Sequence, residues 1–258
     1  MVSDNTVDRG AAYPDREYDF IGGEVLAVDK PVGWTSFDVV KRLRSSLLRR
    51  LRRKKFKVGH AGTLDPLASG LMIITTGRAT KLIETLQAGV KEYVATLALG
   101  STTPSFDLET EIDATYPTSH ITRELIDSVL PAFHGTIEQV PPAFSACKID
   151  GQRAYEMARR GETVELKAKI LVIDEIEVIE FDPAAMTLTL RIVCSKGTYI
   201  RALARDIGAA LGSGAHLTAL RRTRVGDLTV DHAMDVATAA DLIRDCRLAP
   251  EEDAGAAS

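Results

Sequence analysis

The spacing of apolar residues divides the chain into segments of different period. Glu24-Val-Leu-Ala-Val28 reads as a short strand, closed by the turn Lys30-Pro-Val-Gly33. Thr35 or Ser36 then offers a helix cap. Val40, Leu43, Leu47 and Leu51 follow at i, i+3, i+7 and i+11, which predicts an amphipathic helix over 36–57. Residues 59–70, G-H-A-G-T-L-D-P-L-A-S-G, hold too much Gly and Pro for regular structure and lead into an apolar run, Leu71 to Thr75, that reads as a buried strand. A helix near Ala79 to Gln87 stopped by Gly89, a strand from Lys91 to Leu99 and a helix near Thr122 to Leu130 ended by Pro131 come next. Val140-Pro-Pro-Ala-Phe144 is expected to be extended, because each proline restricts its predecessor and neither can donate to a ladder.

The clearest strand pattern lies in 168–195. Ile176 and Val178 alternate with Glu175 and Glu177, Leu188, Leu190 and Ile192 alternate with Thr189 and Arg191, and Asp182-Pro-Ala-Ala185 turns the hairpin. From Tyr199 to Leu211 the period becomes helical, with Ile200, Leu203, Ile207 and Leu211 on one face. Strands and helices are mixed without regular βαβ alternation, so the expected class is α+β with a largely antiparallel sheet.

Composition narrows the function classes. With 45% hydrophobic and 26% charged residues the chain is a folded protein, and its longest aliphatic or Met run, Leu71 to Ile74, is far short of the roughly 18 residues of a membrane span. Met1 to Phe20 carries acids and no apolar core, so residues 1–20 are expected to be a disordered leader and not a secretory signal, and the protein to be cytoplasmic. Cys147, Cys194 and Cys246 form no C-x-x-C pair, which suggests neither a disulfide framework nor a zinc site; no metal and no cofactor are expected. Residues 21–230 are read as the main domain and 231–258, ending E-E-D-A-G-A-A-S, as a short acidic helical tail.

The net charge of −4 hides a segregation. Ten of the 32 Lys and Arg fall between Lys41 and Lys57 with no acid among them, leaving 22 bases against 36 acids elsewhere. A second cluster, Lys196, Arg201, Arg205, Arg221, Arg222 and Arg224, faces one acid, Asp206. Such segregation is the footprint of a polyanion binder; a solvated helix face is the plainer alternative for the first run.

Asp65 is the strongest candidate for chemistry. It lies in the loop bracketed by Gly59, Gly62 and Gly70, with Pro66 locking the next φ, so its carboxylate is presented by a stiff backbone suited to a nucleophile or base. An Asp-Pro turn in which the side chain caps its own backbone is the other reading of the residues alone.

The loop G-H-A-G-T-L-D-P-L-A-S-G strongly resembles the catalytic loop of the TruB-type tRNA pseudouridine synthases. The resemblance recurs in order over about residues 24–226: L-A-V-D-K-P-V-G-W-T-S at 26–36, K-E-Y at 91–93, P-P-A-F-S-A-C-K-I-D-G-Q-R-A-Y-E at 141–156, C-S-K-G-T-Y-I-R at 194–201 and G-A-H-L-T-A-L-R-R-T-R-V-G at 214–226. It implies the pseudouridine synthase fold and isomerisation of uridine 55 in the T loop of tRNA, with the base flipped out and no cofactor. Asp65 is then the nucleophile. Arg201 pairs with it, or else binds phosphate. Tyr93 stacks on the flipped base, replacing stacking worth roughly 1–3 kcal/mol, or else is a core tyrosine. Tyr199 and Leu220 line the pocket, His60 fills space vacated in the T loop, and Lys30 orients the loop or touches phosphate.

The resemblance also implies an RNA-gripping insert at about 120–165, and the T arm of tRNA as partner of a monomer with no obligate protein partner. Two departures stand out. Pro104 occupies a position where many members carry Asp, so only Asp107 is carried over, as an acid behind the site. Many members add a C-terminal RNA-binding domain of PUA-like type, which is not expected here. Arg49, Arg50, Arg52, Arg53, Lys54, Lys55, Lys57 and Arg222 are the expected contacts to RNA backbone. Two rivals remain: a non-catalytic RNA-binding or RNA-folding factor, and an acyl-enzyme built on Ser145-Ala-Cys-Lys148, which lacks the periplasmic signal and K-T-G partner that chemistry needs.

Overall fold

Ala68–Thr76 is buried along almost its whole length, as an unbroken apolar run requires when both faces of a strand are covered. In the computed structural model, which describes residues 16–145, 147–149, 152–160, 162 and 166–250, this strand anchors the first of two compact units, residues 1–89 with 222–258; the second is Val90–Arg221. Val25–Lys30 pairs antiparallel with it, from Val25 opposite Thr75 to Lys30 opposite Gly70, and Val58–His60 pairs with its far end. Met234–Asp235 adds a short parallel edge beside Val28 and Asp29.

The basic helix runs Ser36–Arg50. Thr35 caps it: its hydroxyl accepts from Asp38 N–H while the Asp38 carboxylate accepts from Thr35 N–H, a reciprocal capping box. Val39, Val40, Leu43 and Leu47 are buried, the face expected from their spacing.

The helix stops seven residues short of the expected 57. Leu51 is its C-cap, Arg52 turns left-handed at φ 51°, Arg52 N–H donates to Arg49 O and Arg53 N–H to Leu48 O. That is a Schellman ending with arginine where glycine is usual, so no residue type announced it. Five like charges between Arg49 and Lys54 also repel along any continued helix.

The N-terminal end of the first unit corrects the sequence reading, and the C-terminal end keeps its expected helix. Residues 1–15 and 251–258 lie outside the described residues, but Arg16 to Phe20 is no disordered leader. Tyr18 and Phe20 are each 1% exposed with rings stacked 5.8 Å apart, and the Arg16 guanidinium lies 3.8 Å from the Tyr18 ring centre. Glu17–Tyr18 pairs in parallel with Arg247–Leu248. The tail is helical as expected: Val236–Asp245 is a helix capped by Asp235 that buries Val236, Ala239, Ala240 and Ile243 at i, i+3, i+4 and i+7 and packs on the basic helix.

In the second unit, Lys91–Leu99, Thr187–Cys194, Lys169–Asp182 and Gly135–Gln139 lie side by side, each antiparallel to the next. Asp182 turns the long hairpin by accepting from Ala184 and Ala185 N–H, with Met186 left-handed after it. The helix Ile200–Ala210 lays Ile200, Leu203, Ala204 and Ile207 on a core with Leu97, Leu188, Leu190 and Ile192. Arg123–Val129, capped by Thr122, adds Ile126. The result is the expected α+β architecture with a mixed, largely antiparallel sheet. Among the described residues no helix is long and apolar enough to cross a membrane.

Candidate active site

In the first unit the backbone around Asp65 is held at nearly every residue. Ala61 N–H donates to Ile73 O. The Arg222 guanidinium reaches Gly62 O (3.1 Å), Thr63 O (3.4 Å) and Leu71 O (2.8 Å) with a different nitrogen for each. Ser36 Oγ donates to Leu64 O and accepts from Leu64 N–H, tying the loop to the first turn of the basic helix. Gly33 N–H donates to Pro66 O, and Lys30 Nζ reaches Pro31 O, Trp34 O and Pro66 O. Gly70 closes the loop at φ +106°, where a Cβ would stand 2.2 Å from Arg222 O, so only glycine fits. Asp65 itself is half-buried, its own carbonyl accepting from Ala68 N–H.

Two expectations change here. Arg222, expected on RNA backbone, is 1% exposed and meets the loop carbonyls. On a strand, alternate side chains face opposite ways, and at Arg222 the inward face meets Gly62 and Thr63. Lys30 is fully buried, which removes the phosphate alternative; burial brings it down to about 8 while the nearby Asp65 carboxylate opposes. At neutral pH it is still mostly an ammonium behind the Asp65 loop. His60 ends the strand Val58–His60 opposite Ile74; burial, with the Arg222 charge, holds its imidazole below the usual range, and its Nδ1 is buried without a hydrogen-bond partner.

In the second unit Arg201, Asp107 and Tyr199 lie at the start of Ile200–Ala210. Arg201 is buried, donates to Ser105 O (3.1 Å) and Phe144 O (2.9 Å), and lies 3.6 Å from Asp107 Oδ2. The segment presenting Asp107 is tight: Phe106 is left-handed at φ 61°, and the Thr103 and Ser105 hydroxyls both donate to Asp107 O. Tyr199 caps the helix and is clamped by Gln139, whose amide accepts from Tyr199 N–H and donates to Tyr199 O. Its hydroxyl is 3.2 Å from Cys147 Sγ, and burial with that contact pushes the phenol up to about 12, so it stays neutral. Tyr93, opposite Ile192, and Leu220 pack partly buried on the same core.

Gln139, Ser105 and Phe106 escaped the sequence reading, and Cys147 enters it only as a cysteine outside any disulfide or zinc pattern. Only Gln139 carried a signal, a lone amide beside Val140-Pro-Pro. Within the region expected to be the RNA-gripping insert, Ala146, Asp150, Gly151, Gly161 and residues 163–165 lie outside the described residues.

A family model described as TruB family pseudouridylate synthase, N-terminal domain, matches residues 49–200, and one described as tRNA pseudouridylate synthase B C-terminal domain matches residues 201–254. The chain belongs to the TruB family of pseudouridylate synthases. It is 65% identical over 216 residues to tRNA pseudouridine synthase B of Parabacteroides distasonis, covering 84% of this chain and 91% of that one. It is 48% identical over 240 residues to the protein of the same name from Thermobifida fusca, covering 91% and 79%. Among solved structures it resembles a chain of a Cbf5-Nop10-Gar1 complex, with TM-score 0.64 and 28% identity over 92% of this chain; it spans 60% of that chain's length. A structure of an H/ACA RNP bound to a substrate RNA containing 2'-deoxyuridine matches at TM-score 0.60 and 27% identity.

In this TruB-family chain the remaining basic candidates are surface groups. Arg49, Arg50, Arg52, Arg53, Lys54, Lys55 and Lys57 are all exposed at and beyond the C-terminal end of the basic helix. The C-terminal family match takes in Val236–Asp245, the helix that packs beside them.

Proposed function

We propose that this protein isomerises a uridine of tRNA to pseudouridine, with uridine 55 of the T loop as target and Asp65 as nucleophile. The relatives named tRNA pseudouridine synthase B support the reaction and the tRNA substrate. The bracing of the backbone from Ala61 to Pro66 supports Asp65 most directly, because a carboxylate that attacks must be held in register while its partner moves.

In the reaction the N1–C1′ glycosidic bond breaks and a C5–C1′ bond forms. The proton on C5 leaves to solvent and N1 takes one up. Nothing is oxidised or reduced, so a carboxylate can carry the step through a covalent intermediate at the sugar or at the base ring. Arg201, already ordered by Asp107, serves as ionic partner of the Asp65 carboxylate. Tyr93 stacks on the extruded base, and Tyr199 and Leu220 complete the pocket. Action as a monomer on the T arm, in the cytoplasm, belongs to the same reading.

The test is tritium release from T-arm RNA carrying [5-³H]uridine. The parent protein is expected to release tritium and the Asp65→Asn variant, checked for deamidation, to bind the RNA and release none. Turnover by that variant above a small residual rate reduces Asp65 to a turn residue. No release by the parent overturns the isomerase reading itself.

A further inference from the structure

We propose that a cleft between the basic helix and the helix Val236–Asp245 is a phosphate site that grips the backbone of the substrate RNA away from the reacting uridine. The inference rests on the RNA-isomerase reading above; to the expected RNA contacts Arg49 and Arg50 it adds Arg42 and, from a second helix, Arg244 in one cleft. The cleft has a volume of about 350 Å³ and is lined by Arg42, Ser46, Arg49, Arg50, Ala240, Asp241 and Arg244. On the basic helix Arg42, Ser46, Arg49 and Arg50 fall at i, i+4, i+7 and i+8, one face, bordering the buried Val39, Leu43 and Leu47 on the side that meets the second helix.

Four guanidinium groups line this cleft with the Asp241 carboxylate, and Asp245 stands beside it within reach of the Arg50 charge. Both carboxylates are occupied: Arg244 Nη1 holds Asp241 at 2.6 Å, while its Nε and Nη2 hold Asp245. Arg50 spends one nitrogen on Cys246 O (2.9 Å), which ties the two helices together and fixes the cleft's width. Arg49 spends its Nε on Ser45 O, and its guanidinium lines the cleft. A helix face built only for stability intersperses acids with bases; here the one acid of the helix, Asp38, sits in its first turn. With Arg244 balanced by Asp241 and Asp245, the excess of charge lies on Arg42, Arg49 and Arg50, whose guanidinium forks are suited to phosphate oxygens.

The placement of the row argues for RNA backbone over a single free anion. Ser36, at the helix start, is bonded to Leu64 next to Asp65. With a rise of 1.5 Å per residue, Arg42 stands roughly 9 Å and Arg50 roughly 21 Å along the axis from that anchor. The helix therefore acts as a ruler: its arginines span roughly 12 Å, a row that fits successive phosphates of a strand running away from the target uridine. The exposed Arg52, Arg53, Lys54 and Lys55 follow in the chain, at and past the left-handed turn that ends the helix.

The test compares two RNAs with the same loop, a full tRNA and a hairpin with a stem too short to reach the cleft, using the parent and the double variant Arg42→Gln, Arg49→Gln. Both side chains are exposed and Gln is a good helix former, so folding is expected to survive, as a thermal melt will show. The parent's preference for tRNA over the hairpin, in kcat/KM, is expected to fall roughly tenfold in the variant. The slope of log Kd against log salt for tRNA is expected to drop by about 1.4 to 1.8, two contacts' worth. The charge-retaining variant Arg42→Lys, Arg49→Lys should keep most of the slope, and covers the case in which the Gln variant misfolds. A Gln variant with the parent's preference and slope overturns the proposal, as does one that loses affinity for inorganic phosphate but not for tRNA. Absence of turnover in the parent on either RNA is a different failure, that of the isomerase reading.

Discussion

Arg222→Met tests whether the Asp65 loop is held from behind. The side chain is 1% exposed and donates to three carbonyls, those of Gly62, Thr63 and Leu71. Methionine is of similar length but makes none of these bonds. Each bond from a charged donor contributes about 1.5–3 kcal/mol, but burying the guanidinium costs several kcal/mol, and removing it recovers that. The two nearly offset. A net loss of about 1–3 kcal/mol is expected, a fall in Tm of roughly 3–10 °C for a chain of this size.

What does not offset is position. Gly62 and Thr63 lose their anchor two to three residues before the nucleophile, and a misplacement of about 1 Å costs on the order of 100-fold in rate. Single-turnover tritium release, at RNA concentrations saturating by filter binding, should therefore slow about 100-fold while RNA affinity changes little. Arg222→Lys should recover less than tenfold of this, because one ammonium cannot span three carbonyls that the planar fork meets with three separate nitrogens. A folded Met variant with a rate within threefold of the parent refutes the reasoning. The Ser36–Leu64 and Gly33–Pro66 bonds would then suffice to hold the loop.

Two further outcomes are expected. Lys30 releases its proton near pH 8 in the native protein but near 10.5 when unfolded, so between those values the unfolded chain binds more protons and stability rises with pH, by about 3 kcal/mol at full extent. Urea unfolding of Lys30→Met should lack that rise, and curves for parent and variant that run parallel from pH 8 to 10.5 contradict the buried ammonium. Among the cysteines, burial raises Cys194 to about 11 and also raises Cys246, whereas at Cys147 burial is outweighed by the Tyr199 hydrogen bond and the Lys169 ammonium at 3.6 Å, which hold the thiol below its ordinary range. Iodoacetamide at neutral pH should modify Cys147 first, with peptide mass mapping as the readout; equal or slower labelling of Cys147 contradicts the cluster.

Local rules were enough for the strongly periodic elements, though not for the short strands Glu17–Tyr18 and Gly135–Gln139. The 3.6-residue recurrence of Val40, Leu43 and Leu47 settles which side of the basic helix is buried. The alternation in 168–195 settles the long hairpin, and the glycines around Asp65 mark a shaped loop before a strand. These are short-range consequences of backbone geometry, and they survive folding because each element must bury its own apolar face. The family resemblance was legible for the same reason, as contiguous motifs.

Tertiary structure decided the fate of individual polar and terminal groups. Arg221 and Arg222 are chemically the same in the sequence, yet Arg222 alone lies against the carbonyls of a loop about 160 residues away. Arg201 meets Asp107 across nearly a hundred residues, and Tyr18 and Val236–Asp245 are folded parts of a unit whose pieces lie at opposite ends of the chain. The helix end at Arg50 depends on an arginine taking a left-handed turn that residue type disfavours. In each case the free energy comes from partners that no local window contains: desolvation of a charge is settled by which carbonyls or carboxylates the fold brings to it.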